Sequence, residues 1–330
     1  MGGGQRRFRL IQAANPFVEH GGSLESHGNS GDQGKEHGTL GLDFGRHPDV
    51  IFKKAPLVVV LCQIKFEPIF SLLSEVGVAG FQEGIREKYP SARREEATQF
   101  HVSRQPSNSI GVRQSPPIWR LSDKQDDWQW RVSLAVDFIA LEAPKYVDFG
   151  EFLSRMRFLL EVLDRTIHPG DATRIGLRKI NQFEHPNVRG PKDWTKLLRP
   201  ELISLAGCEL PGELHLSMSE VRIKDGKREL AIRHGVPPES SMRPGGQEST
   251  DRTSSGGGPA EAGQLDGVAS LSYVLDLDYS TFIPLTVRDD SAITGLLQEF
   301  SDSMTSFFHW SLGPEMHKWL EPIPRDEATK

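Results

Sequence analysis

Arg174, Gly176 and Arg178 fall at alternate positions of Thr173–Phe183, a stretch patterned like a β-strand, with Ile175 and Leu177 on the other face. A guanidinium is a planar fork suited to two-point contact with a carboxylate or phosphate, and a glycine between two arginines lets a ligand approach the backbone. Arg174 and Arg178, with Asn181 further along the strand and Asp137 from an earlier one, are the candidate ligand-binding set. The competing reading has no ligand in it. There the arginines pair with Asp137, Glu142 or Glu220 on neighbouring strands, as opposite charges across strands commonly do.

Two further sets carry chemistry. Asp276 and Asp278 share the polar face of one strand, a spacing that suits a hard cation or an acid–base pair. No third carboxylate is fixed near them by sequence, so solvated strand charges are the plainer reading. Trp119, Trp128 and Trp130, with Phe307, Phe308, Trp310 and Trp319, form an aromatic set. Aromatics beside arginine can stack bases. Trp130 and Phe307 fall on apolar stripes and read as core, while Trp310 and Trp319 cap the core or face a partner.

Much else is excluded or left without support. There is no phosphate loop, dinucleotide-binding glycine pattern, His-Glu-x-x-His, Cys-x-x-Cys or Gly-x-Ser-x-Gly elbow. These absences lower the case for an enzyme without closing it, and no cofactor or metal is expected. Lys+Arg 39 against Asp+Glu 45 leaves a formal charge of −6, with no basic excess to neutralise phosphates. The two cysteines, Cys62 in an apolar run and Cys208 in a polar one, are no disulfide framework and fit a reducing cytosol. No apolar run approaches the ~20 residues a membrane helix needs, and Gln12 and Asn15 interrupt any N-terminal signal core.

The elements that position these residues are legible between two polar segments. Residues 1–50, rich in Gly, Ser and His, read as a disordered extension whose His20, His27 and His37 are solvated. Residues 237–267 read as a disordered insertion in a long hairpin loop. A first half, 53–170, predicts a strand at Val58–Phe66 and a helix carrying Phe81, Ile85 and Tyr89. It continues with strands at Gln99–Ser103, Ile118–Ser122 and Trp128–Leu141, then a helix with Phe152, Met156, Leu159, Leu163 and Ile167 on one stripe. A second half, 171–322, predicts a strand at Arg174–Phe183 and a helix at Trp194–Leu205 broken by Pro200. Strands at Glu213–Ile223, Arg228–His234 and Ala269–Tyr279 follow, then a long helix through Ile293, Leu297, Phe300, Met304 and Phe307. Both halves thus read βαβββα, which implies an α+β fold: one curved, mostly antiparallel sheet with long helices on its apolar face. A helix-grip fold is the alternative; either leaves a concave polar surface.

Several short motifs resemble a sporadically distributed family of uncharacterised bacterial proteins. They are Pro56-Leu57-Val58 through Ile64-Lys65-Phe66-Glu67-Pro68, Tyr89-Pro90, and Asp137-Phe138-Ile139-Ala140-Leu141 through Tyr146. The most specific is Arg174-Ile175-Gly176-Leu177-Arg178 through Ile180-Asn181, and an aromatic C-terminal helix around Phe307–Trp319 closes the match. The resemblance spans roughly residues 53–322 and carries over no activity, cofactor or catalytic residue. The family's patchy distribution is compatible with defence or toxin–antitoxin systems. The expectation is a non-enzymatic cytoplasmic binding or regulatory protein with a protein partner, no membrane and no general nucleic-acid affinity. The alternative is a small-molecule or nucleotide-binding enzyme that uses an arginine-lined sheet face.

Overall fold

The computed structural model describes residues 42–96, 98–102, 110–114, 116–144, 148–238, 271–282 and 284–328. The expected tail as far as residue 41, and nearly all of the expected insertion, lie outside the described residues. In chain order the first half holds β1 (Val50–Phe52), β2 (Leu57–Phe66), α1 (Glu75–Ile85), β3 (Ser91–Glu95), β4 (Thr98–Val102), β5 (Ile110–Gln114), β6 (Ile118–Ser122), β7 (Arg131–Ala135), β8 (Phe138–Ala143) and α2 (Phe149–Thr166). The second holds β9 (Asp171–Phe183), α3 (Pro200–Ile203), β10 (Ser217–Asp225), β11 (Arg228–Val236), β12 (Tyr273–Thr281), β13 (Leu285–Thr286), α4 (Asp290–Ser311), α5 (Pro314–Trp319), β14 (Pro322–Pro324) and α6 (Arg325–Ala328).

One open, curved sheet runs in the order β10-β11-β12-β9-β2-β8-β7-β6-β3, with β13 beside the start of β9. The pairings are antiparallel. In each half the last long strand returns beside the first, β8 against β2 and β12 against β9. The two first strands pair at the centre. The halves are therefore related in topology as if by a two-fold axis between β2 and β9, with β3 having no counterpart in the second half. This gives the element order read from the sequence a spatial meaning.

Period-2 alternation sets the two faces. Cys62, Ile64, Leu134, Leu141, Ile175, Leu177, Leu275 and Leu277 point to one side and are almost fully buried. There they meet the stripes of α2 and α4, which also pack on each other, with α4 lying against β9 and β12. Each long helix begins where a short polar side chain takes up an end amide: Ser74 accepts from Gly77 N at 3.3 Å, Asp148 from Glu151 N at 3.0 Å, and Asp289 from Ala292 N at 2.9 Å. No described helix is long and apolar enough to cross a membrane.

Four local expectations differ from the structure. Trp128–Leu141 is not one strand but the hairpin β7–β8, turning at Val136 and Asp137. The buried set shifts phase there, from Val132 and Leu134 to Ile139, Leu141 and Ala143. The strand expected at Gln99–Ser103 is present as β4, but it pairs with β5 in a separate ribbon, and β3 takes the edge of the main sheet instead. β3 is an edge strand of polar, exposed residues, so it carries no apolar alternation to read. Trp194–Leu205 is two short 3-10 turns flanking α3, because Pro191 and Pro200 each start a turn and Ser204 takes a φ of 51°. Residues 42–50 belong to the fold: Phe44 meets Phe307 edge-on at 4.9 Å, and β1 pairs with β14.

Candidate functional site

β9 places Arg174, Gly176 and Arg178 on the face of the sheet away from α2 and α4, as its alternation requires. β12, its antiparallel neighbour, sets Asp278 directly opposite Arg178 and Ser280 opposite Gly176. Arg178 reaches diagonally to Asp276, with Nε to Oδ1 at 2.8 Å and Nη2 to Oδ2 at 2.6 Å. That is a two-point fork of the strong, charge-assisted kind. Arg174 donates from Nη2 to Asp278 Oδ1 at 3.3 Å. The two candidate sets, arginines and aspartates, thus become one set in which each neutralises the other.

Burial and charge compete in this cluster. Burial works against the cation of Arg178, but the bonds and charge of Asp276 outweigh it, and its pKa is raised. Burial pushes the Asp278 carboxyl up, while Arg174 and Arg178 pull the other way without cancelling it. Gly176 has a local reason. A Cβ there would lie 2.6 Å from Arg174 Nη1, so the missing side chain makes room for a guanidinium of the same strand and not for a ligand. Arg174 also stands 6.0 Å from the ring of Phe282.

The pairing continues toward both edges. Arg233 on β11 lies 3.7 Å from Asp276 and binds Glu220 on β10 at 2.9 Å. Arg222 binds Glu220 at 2.6 Å and Glu229 at 2.8 Å. On the other side Arg131 holds Glu142 from Nε at 3.1 Å, under the ring of Trp128 at 4.1 Å, and Arg120 reaches Glu95 at 3.0 Å. Cross-strand pairing was anticipated, but its partners differ. Asp276 and Asp278 hold the two arginines; Glu142 and Glu220 are taken by others.

The other two predicted site residues are elsewhere. Asn181 lies an odd number of residues from Arg178 and so faces the helices, with Nδ2 to Leu275 O at 3.5 Å. Asp137 sits in the β7–β8 turn, where its carbonyl accepts from Phe66 N at 3.0 Å and its carboxylate forms no ion pair among the described residues. Both corrections follow from geometry: parity moves Asn181 across the sheet, and the hairpin removes Asp137 from a strand.

Sequence reasoning passed over two groups. Lys179 occupies the apolar face between Leu177 and Asn181, 8% exposed, and gives Nζ to Ser301 Oγ at 2.7 Å. Burial lowers its pKa to about 8, against a weaker opposing pull from Asp302. A lysine in an apolar row was the available signal. His47, His309 and His317 gather at the C-terminal end: His47 stacks on His309 at 4.4 Å, His309 is 6.3 Å from His317, and Phe52 packs on both of the latter. Burial, then His47 and His317, lowers His309 to about 4. Residues so distant in sequence give no local signal.

No group of three or more His, Cys, Asp or Glu among the described residues could hold a metal, and His20, His27 and His37 lie outside them. Cys62 is fully buried, its thiol pushed up to about 12 by burial. Trp119 donates to Leu72 O at 2.8 Å, Trp130 packs on Phe152, and Trp319 lies under Lys54 at 3.9 Å, so these aromatics serve the core and its caps. An open cleft of about 470 Å³ between residues 42–47 and α4 is lined by Asp43, Arg46, His47, Glu299, Asp302 and Ser303; α4 covers the opposite side of the sheet from the arginines. Comparison of the chain with protein-family models, with curated proteins and with solved structures finds no match.

Proposed function

We propose that this chain is a non-enzymatic binding or regulatory protein of the cytoplasm that engages a protein partner. The observation that carries the reading is the internal pairing of Arg174 and Arg178 with Asp278 and Asp276. An anion-gripping enzyme would need those guanidiniums for its substrate, and breaking a buried pair leaves a carboxylate stranded. The contact surface suggested by the fold is the corner where a 3-10 turn, Phe70–Leu73, meets α1. Phe70 is 75% exposed and Val76 87%, with Leu73 beside them. The corner is stiff: Trp119 ties down Leu72 O, and a Cβ at Gly77 would lie 2.0 Å from Ser71 O. A rigid exposed apolar knob suits an apolar pocket on another protein. In keeping with a defence or toxin-neutralising pair, the first partner to test is the product of an adjacent gene.

Two measurements test this. Co-expressed with that product, the wild-type chain should co-purify as a stable complex, and Phe70→Ser/Val76→Ser should lose it while melting at the same temperature. Thermal-shift titration with phosphate, nucleotides and dicarboxylates should leave the melting temperature unchanged. A saturable rise that vanishes in Arg178→Ala would instead support the enzyme reading.

A further inference from the structure

The sheet ends in two long edges of different character. β3 at one end is polar apart from Ala92, and β10 at the other pairs, among the described residues, with β11 alone. Nine large apolar side chains are exposed among the described residues. Five of them, Leu205, Leu210, Leu216, Met218 and Val221, lie on β10 or on the segment leading into it. An open strand edge flanked by apolar side chains is a template for another strand.

β10 is also complementary to itself in charge. Antiparallel pairing with a second copy, about a two-fold axis normal to the sheet, keeps the helices of both copies on one side. Facing residues must then share a face, so the axis passes through a residue. With the axis at Val221, Glu220 of each copy faces Arg222 of the other, and Met218 lies against the stem of Lys224. One step either way sets Glu220 against Glu220 or Arg222 against Arg222. β3 fails the same comparison, because an axis through its middle residue sets Arg93 against Arg93. Glu220 and Arg222 are themselves exposed, with room to turn from their contact within the chain to a facing copy.

We infer that β10 is a homodimer interface: two copies join β10 to β10, antiparallel about Val221, into one continuous sheet. Val221, half exposed in the single chain, meets its own copy on the helix side. The surface lies on a different element from the Phe70–Val76 corner and does not rest on the partner reading.

Sedimentation of the full chain measures this directly. The wild type should run at twice the 36.8 kDa of one chain. Arg222→Glu and Glu220→Arg should each run as monomers, since each sets like charges face to face. An equimolar mixture of the two should recover the dimer, because opposite charges then meet at every facing position. That rescue separates a lost interface from a lost fold. A monomeric wild type, an Arg222→Glu chain as dimeric as wild type, or a mixture that stays monomeric would each overturn the inference. So would a monomer whose β10 amides resist hydrogen exchange, which would place another segment on that edge.

Discussion

Arg178 keeps its charge within the sheet because Asp276 meets it with both oxygens. Removing one partner is therefore costly in a way that removing both is not. Asp276→Ala should destabilise the chain by about 3–5 kcal/mol, whereas Arg178→Met combined with Asp276→Leu should come close to wild type. Urea unfolding of the three chains measures both figures. Lys179 makes a different prediction. Its folded pKa of about 8 lies below the usual 10.5, so between those values the unfolded chain binds more protons and stability rises with pH. Stability from this group is present above 10.5 and is lost as pH falls toward 8. The wild type should gain roughly 3 kcal/mol relative to Lys179→Met across that window; parallel curves would show that Lys179 does not titrate there. The sequence made the arginines visible because alternation fixes which residues share a face. It hid their partners because Asp276 follows Arg178 by 98 residues, and nothing local encodes that register.

Residues 42–52 form a strap across the C-terminal helices, held by Phe44 on Phe307, by β1 on β14, and by the stack of His47 on His309. A neutral His309 ring stacks within this half-buried cluster, and protonating it places an unsolvated charge there. The folded pKa of His309, near 4, lies below the usual 6.5, so its contribution is full above 6.5 and disappears as pH falls through 4. Exposed neighbours, Asp49 with Arg325 and Lys54 with Glu321, are already paired and leave the histidines to one another. Protection of residues 42–52 against hydrogen exchange, taken relative to the intrinsic rate at each pH, should fall from pH 6.5 to pH 4, and His309→Phe should remove most of that change. An equal loss of protection in both chains would count against the stack as the cause. The strap illustrates what element-level reading lost. Gly, Asp and His around a single Phe44 look like tail composition, yet Phe44 on the core, β1 on β14 and His47 on His309 together dock them. The long amphipathic helices were legible for the opposite reason: five stripe residues repeat one signal, as in α4.

The whole molecule joins its halves through the β2–β9 pair and the α2–α4 contact, so neither half holds the core alone. Unfolding should be one transition, with near- and far-ultraviolet circular dichroism coinciding and calorimetric and van't Hoff enthalpies agreeing. Two separated transitions would make the halves independent domains. This arrangement also sets an order of events during synthesis. β9 leaves the ribosome about 100 residues before Asp276 and Asp278. At roughly 5–20 residues per second, the two arginines wait some 5–20 s for their counter-ions. Throughout that interval the nascent chain carries an apolar strand whose other face is cationic and unmatched. A chaperone that reads basic-and-apolar segments would find a target there, and would lose it when β12 docks.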